Sequence, residues 1–304
     1  DNRPYQETRY EASALNRVVG SVRAGEDYES HPSGQTYEIN TLNDAVRKFS
    51  VVYEELTNGS VETKLNCSNN YDRFTLYKNT ISDEDGKSLT TFTDLLGRKI
   101  LERQDGNDTY YVYDHKGQLC YVLPPLAANQ ITNGTYSDTT DVVKKYAYVY
   151  KYDERGNQIY KRLPGCEPTF MVYDITNTLI MSQTGTQRQR GTYWTVYKCD
   201  ALRRIVYTSE VNIGHADYDY LWNTWDKLYV KESFSLTPQA NMMTNTGYTR
   251  SFYHIHPTTL LTVNYYDTYE FLDLMADSVR NHMTFAAFDD NDTCANAKGL
   301  LTGT

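Results

Sequence analysis

The chain has 304 residues, 39% hydrophobic and 23% charged, which fits one large or two ordinary domains with a real core and argues against disorder. Its 30 Lys plus Arg stand against 39 Asp plus Glu, a net charge of -9, and no basic run exceeds two residues (Lys144-Lys145 and Arg203-Arg204 are typical). Nucleic acid and an anionic membrane surface are therefore poor partners, and no apolar run is long enough for a membrane helix, so no membrane insertion is expected. Tyrosine is the outlier, 29 residues against 9 phenylalanines. Its ring packs on a pleated surface while its hydroxyl reaches water, so this excess predicts a mainly β chain with much half-buried sheet.

Residues 1–90 read as an N-terminal β region, with strand-like runs at Lys48–Tyr53 and Phe74–Tyr77 between Gly/Ser/Asn turns and without the turn pattern that follows. Residues 91–210 carry an internal repeat. Asp94, Asp114 and Asp153 are each followed three residues later by glycine (Gly97, Gly117, Gly156), Asp174 by Asn177 and Asp200 by Arg203. An aromatic residue precedes most of them (Phe92, Tyr113, Tyr152, Tyr173, Tyr197), and apolar residues resume five or six positions after the Asp.

That unit is a β-hairpin. Asp suits the first position of a type I turn, where its carboxylate accepts the backbone N–H two residues on. Glycine at the fourth position takes φ > 0 and forms the bulge that rejoins the strands. Asn tolerates that conformation and Arg does so less well, so the turns at Asn177 and Arg203 are expected to be more distorted. Tyr146, Tyr148, Tyr150 and Tyr152, spaced by two, predict one face of a strand. The wider gap between Asp114 and Asp153 holds Pro124-Pro125 and a polar stretch, Asn129–Thr140, which reads as an inserted loop.

Residues 211–304 read as a degenerate repeat and connecting region. Leu260–Tyr266 looks like a strand, and Gly299–Thr304 the start of another. Phe271, Met275, Val279 and Met283, spaced by four, predict a short C-terminal helix over 268–283, with Asp267 and Glu270 as its capping box. A start at Asp1 without Met and no obvious end at Thr304 read as an excised segment.

The segments Tyr111–Pro125 (YVYDHKGQLCYVLPP), Tyr150–Pro168 (YKYDERGNQIYKRLPGCEP) and Val172–Arg188 (VYDITNTLIMSQTGTQR) resemble the Rhs/YD-repeat proteins of Bacteroides and its relatives. The opening Arg3–Gly20 and Ala45–Phe49 are similar to the domain of unknown function that precedes the repeats in those proteins. The resemblance implies hairpins coiled into a curved or spiral open sheet, a partial shell. In bacteria such shells can enclose a toxic C-terminal domain, and in other members they display adhesion regions. The Asp-Pro of the self-cleaving core motif is absent from this sequence, so neither self-cleavage nor toxin activity carries over.

Candidate chemistry is sparse. His254-x-His256 would place two imidazoles on one strand face, but a closed zinc site needs four ligands. Asp289-Asp290-Asn291-Asp292 lacks the glycine and glutamate of an EF-hand and reads as an acidic turn. Trp194, Trp222 and Trp225 could stack on sugars, though large aromatics are more often core or loop anchors. The five cysteines (Cys67, Cys120, Cys166, Cys199, Cys294) lack metal or nucleophile spacing, and their pairing is left open. The repeated aspartates share one local explanation as turn residues rather than catalytic acids. The expectation is a non-catalytic structural module of a secreted or cell-surface bacterial protein, without cofactor or metal. Its partner would be the rest of its own polypeptide, including a cargo or toxin domain. The alternative is a carbohydrate-binding or adhesin-like module that contacts glycans or cell-surface molecules.

Overall fold

The structure, a computed structural model, describes residues 3–55, 61–214, 231–237, 246–250, 257–274 and 297–304. The fold is mainly β, a large antiparallel sheet of successive hairpins with few helices, as the tyrosine excess and repeated turns imply. The chain divides into two units, Asp1–Lys151 with Arg162–Cys166, and Tyr152–Lys161 with Glu167–Thr304.

In the first unit the sheet runs β1 (Glu7–Tyr10), β2 (Val18–Val22), β3 (Ser33–Ile39), β6 (Tyr77–Ser82), β7 (Ser88–Thr93), β8 (Lys99–Gln104), β9 (Asn107–Tyr113), β10 (Leu119–Leu123) and β12 (Tyr148–Tyr152). A second, three-stranded sheet of β4 (Arg47–Glu55), β5 (Val61–Asn70) and β11 (Gly134–Tyr136) belongs to the same unit. Buried in this unit are Phe92, Leu101, Tyr110, Val112, Tyr121 and Leu123 from the large sheet, and Phe49, Leu65 and Cys67 from the small one. Phe49 meets Tyr110 edge to face at 4.8 Å, the favoured geometry for an aromatic pair.

Several segments depart from the sequence reading. Asn129–Thr140 is not a plain loop. Helix α1 (Pro125–Gln130) buries Ala127 and Ala128, β11 pairs with β5, and helix α2 (Asp141–Tyr146) buries Val143. The Arg47 guanidinium donates to the carbonyls of Ala128 and, at 2.6 Å, Ile131, placing a cation at the C-terminus of α1. Tyr146 closes α2, so the tyrosine stripe of β12 is Tyr148, Tyr150 and Tyr152. Phe74 lies in a turn at φ 65, held by the 2.9 Å bond from its N–H to Asn40 O, and the strand begins only at Tyr77. Buried Asn40 also accepts from Thr75 N and Leu76 N and donates to Asp72 O, so one side-chain amide shapes that turn.

In the second unit β13 (Gln158–Arg162), β14 (Thr169–Tyr173), β15 (Leu179–Gln183), β16 (Tyr193–Cys199), β17 (Ile205–Asn212) and β18 (Pro257–Val263) follow in order. Helix α3 (Gly185–Arg190) sits between β15 and β16 behind a capping box, Thr184 with Gln187. Val172, Ile180, Met181, Trp194, Val196 and Val211 form one core cluster, and Val206, Tyr207 and Tyr248 another. Lys198 and Glu232 are both buried and meet at 3.1 Å, and the Thr249 hydroxyl donates to the other Glu232 oxygen at 2.7 Å. Burial pulls the Lys198 ammonium below its ordinary value, and the Glu232 carboxylate works against that shift.

β19 (Tyr265–Asp267) and β20 (Ala297–Gly303) form a small sheet, so the strand expected over Leu260–Tyr266 is divided between β18 and β19. The expected helix is a 3-10 turn, Glu270–Leu274, and residues 275–283 lie outside the described residues. Glu270 N donates to Thr268 Oγ1, while the Asp267 carboxylate takes the Arg204 guanidinium and Gly299 N, so Asp267 caps nothing.

Candidate functional site

The residues singled out in the sequence form one recurring local structure. In each turn the Asp N–H donates to the carbonyl four residues on, and the fourth residue's N–H donates back to the Asp carbonyl. At Asp94 these distances are 3.0 Å and 2.9 Å, at Asp174 3.0 Å and 3.1 Å. One carboxylate oxygen then accepts two backbone N–H groups: Leu96 and Arg98 on Asp94, Lys116 and Gln118 on Asp114, Thr176 and Thr178 on Asp174, Leu202 and Arg204 on Asp200. Asp153 accepts Asn157 N at 2.7 Å and, on its other oxygen, Asn157 Nδ2 at 2.8 Å. The bond two residues on was legible from turn chemistry, whereas the second, from the residue beyond the glycine, was not.

Gly97, Gly117 and Gly156 occupy the left-handed region at φ 79, 81 and 90. Asn177 and Arg203 occupy it too, at φ 61 and 65, and their turn bonds of 3.1 Å and 3.0 Å match those of the glycine turns. The expected distortion does not occur. Strain at Arg203 resides in its backbone torsion, because the Asp200 carboxylate holds both flanking amides in place. A sixth copy, Asp83 to Gly86, has the same bonds and φ 77 and lies in the region read as free of the pattern.

Second partners differ from turn to turn. Arg98 Nε and Arg204 Nε each donate to the free oxygen of their own aspartate at 2.7 Å. Burial works against the charged Asp94 carboxylate, but the Arg98 backbone N–H and guanidinium outweigh it and hold the carboxyl below its ordinary value. In the second unit neighbouring turns are stitched together, Arg155 Nη1 donating to Asp174 O and Asn157 Nδ2 to Asn177 Oδ1, both at 2.9 Å. In the first unit the Arg98 guanidinium lies 5.2 Å from the Tyr113 ring centre. Tyr152 and Tyr173 are half-buried beside their turns, and Tyr173 OH donates to Gln158 O at 3.2 Å.

Among the described residues, Cys67, Cys120, Cys166 and Cys199 are all free thiols, and only Cys166 is exposed. Burial pushes the Cys120 thiol up to about 12 and that of Cys199 to about 11, which makes both poor nucleophiles. Trp194 is fully buried in the core and offers no platform to a sugar. His254, His256, Trp222, Trp225, Cys294 and the acidic run 289–292 lie outside the described residues.

No protein-family model and no curated protein matches this chain. Among solved structures it is similar to TcdB2-TccC3-TEV, at 13% identity over 69% of this chain and 10% of that one, with a TM-score of 0.36. TcdB2-TccC3 gives 13% identity, 69% and 11% coverage and a TM-score of 0.36. A mutant Photorhabdus luminescens Tc holotoxin pore gives 14% identity, 76% and 14% coverage and a TM-score of 0.28. The chain thus spans about a tenth of the length of the structures it resembles, and likeness at this level assigns it to no family.

Proposed function

We propose that this chain is a non-catalytic structural module of a large bacterial secreted or cell-surface protein of the Rhs/YD-repeat kind. Its work is to scaffold or enclose a segment of its own polypeptide outside residues 1–304. One observation carries this reading: among the described residues the aspartate turn recurs six times, and each time the carboxylate closes its own hairpin by accepting the backbone N–H four residues on. Carboxylates held this way fix strand register, and register is what a long hairpin array must maintain.

The test is limited proteolysis of the full-length polypeptide. With intact turns the enclosed segment resists cleavage. A variant combining Asp114→Ala, Asp153→Ala and Asp174→Ala releases it. The same cleavage pattern in both proteins would overturn the reading.

A further inference from the structure

The Asp94 turn has an unusual tip. Between the aspartate and the glycine, the Asp83, Asp114 and Asp153 turns carry Glu84-Asp85, His115-Lys116 and Glu154-Arg155, and the other two turns carry one large apolar residue each. The Asp94 turn carries Leu95-Leu96, which are 72% and 78% exposed, more than any other large hydrophobic residue among the described ones. The bonds that close the turn use neither side chain. The turn alone therefore does not account for the two leucines.

The strand register brings more apolar side chains to the same end. Ile39 pairs with Tyr77, which pairs in turn with Thr93, so the segments just beyond these residues leave β3, β6 and β7 together. Leu42 is 66% and Phe74 60% exposed in two of those segments, and the Phe74 N–H bond to Asn40 O ties the two segments together. Phe74 holds φ 65, a left-handed conformation that suits Gly or Asn and that bulky residues seldom take, so this backbone does not call for an aromatic ring. Ile39, at 47%, and Tyr77, at 54%, extend the patch along the strand ends. At these fractions the six residues present roughly 800 Å² of surface, one partner's share of a standard-size interface.

We infer that this end of the first unit is the contact face of a homodimer, in which two copies of the chain meet patch to patch across a two-fold axis. Exposed apolar patches of this size mark protein interfaces, and the area equals what a stable dimer needs from each copy. Charge favours a second copy as the occupant. No residue of the patch is charged, and Lys78 and Arg98 beside it already hold carboxylates: Lys78 those of Glu38 at 3.2 Å and Asp44 at 3.0 Å, Arg98 that of Asp94 at 2.7 Å. Arg73 lies 5.4 Å from the Phe74 ring centre. The patch thus offers no free ion to a charged partner, whereas its own copy supplies an uncharged apolar surface of equal area. The contact is isologous, so it closes at two copies. It does not depend on the scaffold reading, because a wall can pair through one end whatever it encloses.

The experiment is sedimentation of the intact chain from about 0.1 to 100 μM, with reductant present because Cys166 is exposed. A reversible dimer forms. Leu95→Glu combined with Leu96→Arg gives the Asp94 turn the tip that the Asp153 turn already has, so the fold is kept while the dimer dissociation constant rises at least about tenfold. Leu202→Arg, 70% exposed at the tip of the Asp200 turn, leaves dimerisation unchanged. A monomer at every concentration would mean that some other surface or nothing covers the patch, and it overturns the inference. So do growth beyond two copies, an unaltered dimer in the double variant, or a dimer lost in Leu202→Arg. None of these results bears on proteolytic protection of the enclosed segment.

Discussion

The two ends of the hairpins are built by different rules. In the first unit the Asp94 and Asp114 turns share one end of the sheet, because one connection lies between them in chain order. The Asp153, Asp174 and Asp200 turns share one end in the second unit for the same reason. All five have the same bonds and the same left-handed fourth residue. The opposite ends are not uniform. They hold the Asp83 turn, a tight Asp105-Gly106 reversal, the α1–β11–α2 excursion and helix α3. One end therefore repeats a single register-setting turn, while the other mixes one such turn, at Asp83, with connections that need only return to the next strand.

That contrast can be broken most sharply at Asp174, which is 1% exposed and whose carboxylate accepts Thr176 N, Thr176 Oγ1 and Thr178 N. Asp174→Ala should cost about 3 kcal/mol in denaturant titration, because it leaves three half-buried donors without their charged acceptor. A Gly-Ser insertion between exposed Thr132 and Asn133, on the opposite side, should cost under about 1 kcal/mol. Equal effects would end the distinction.

The fourth turn position gives a smaller, signed effect. A Cβ at Gly117 would meet nothing closer than Arg98 Nη1 at 3.8 Å, so Gly117→Val acts through φ 81 alone and should lose about 2 kcal/mol. Arg203→Gly should gain about 1 kcal/mol by the same logic reversed, read as a higher melting temperature.

Acid provides the mildest probe. The folded Asp94 carboxyl sits below its ordinary 3.8, so its contribution is complete above about pH 4 and fades as the pH falls through the folded value. Asp94→Asn should flatten the melting-temperature profile in that window. An unchanged slope would show that the Arg98 contacts contribute nothing to stability.

The turns were legible because every group they need lies within five residues. Asp83–Gly86 is harder to see, although Asp, Gly and the following Leu89 stand in register, because none of the three residues before it (Thr80, Ile81, Ser82) is aromatic. Elements fixed by distant partners were not legible. β11 exists because Gly134 pairs with Cys67, and the turn at Phe74 because Asn40 reaches Leu76. Tyr146 fitted an alternating pattern, but the Asp141–Tyr146 helix claims it.

The buried Lys198–Glu232 contact joins β16 to a segment more than thirty positions downstream. Losing the acid alone would leave an ammonium in the interior without its counter-charge, a change far more damaging than replacing both by apolar residues. The two positions should therefore drift through evolution as a couple, so that a lineage with an uncharged residue at 198 also lacks the acid at 232.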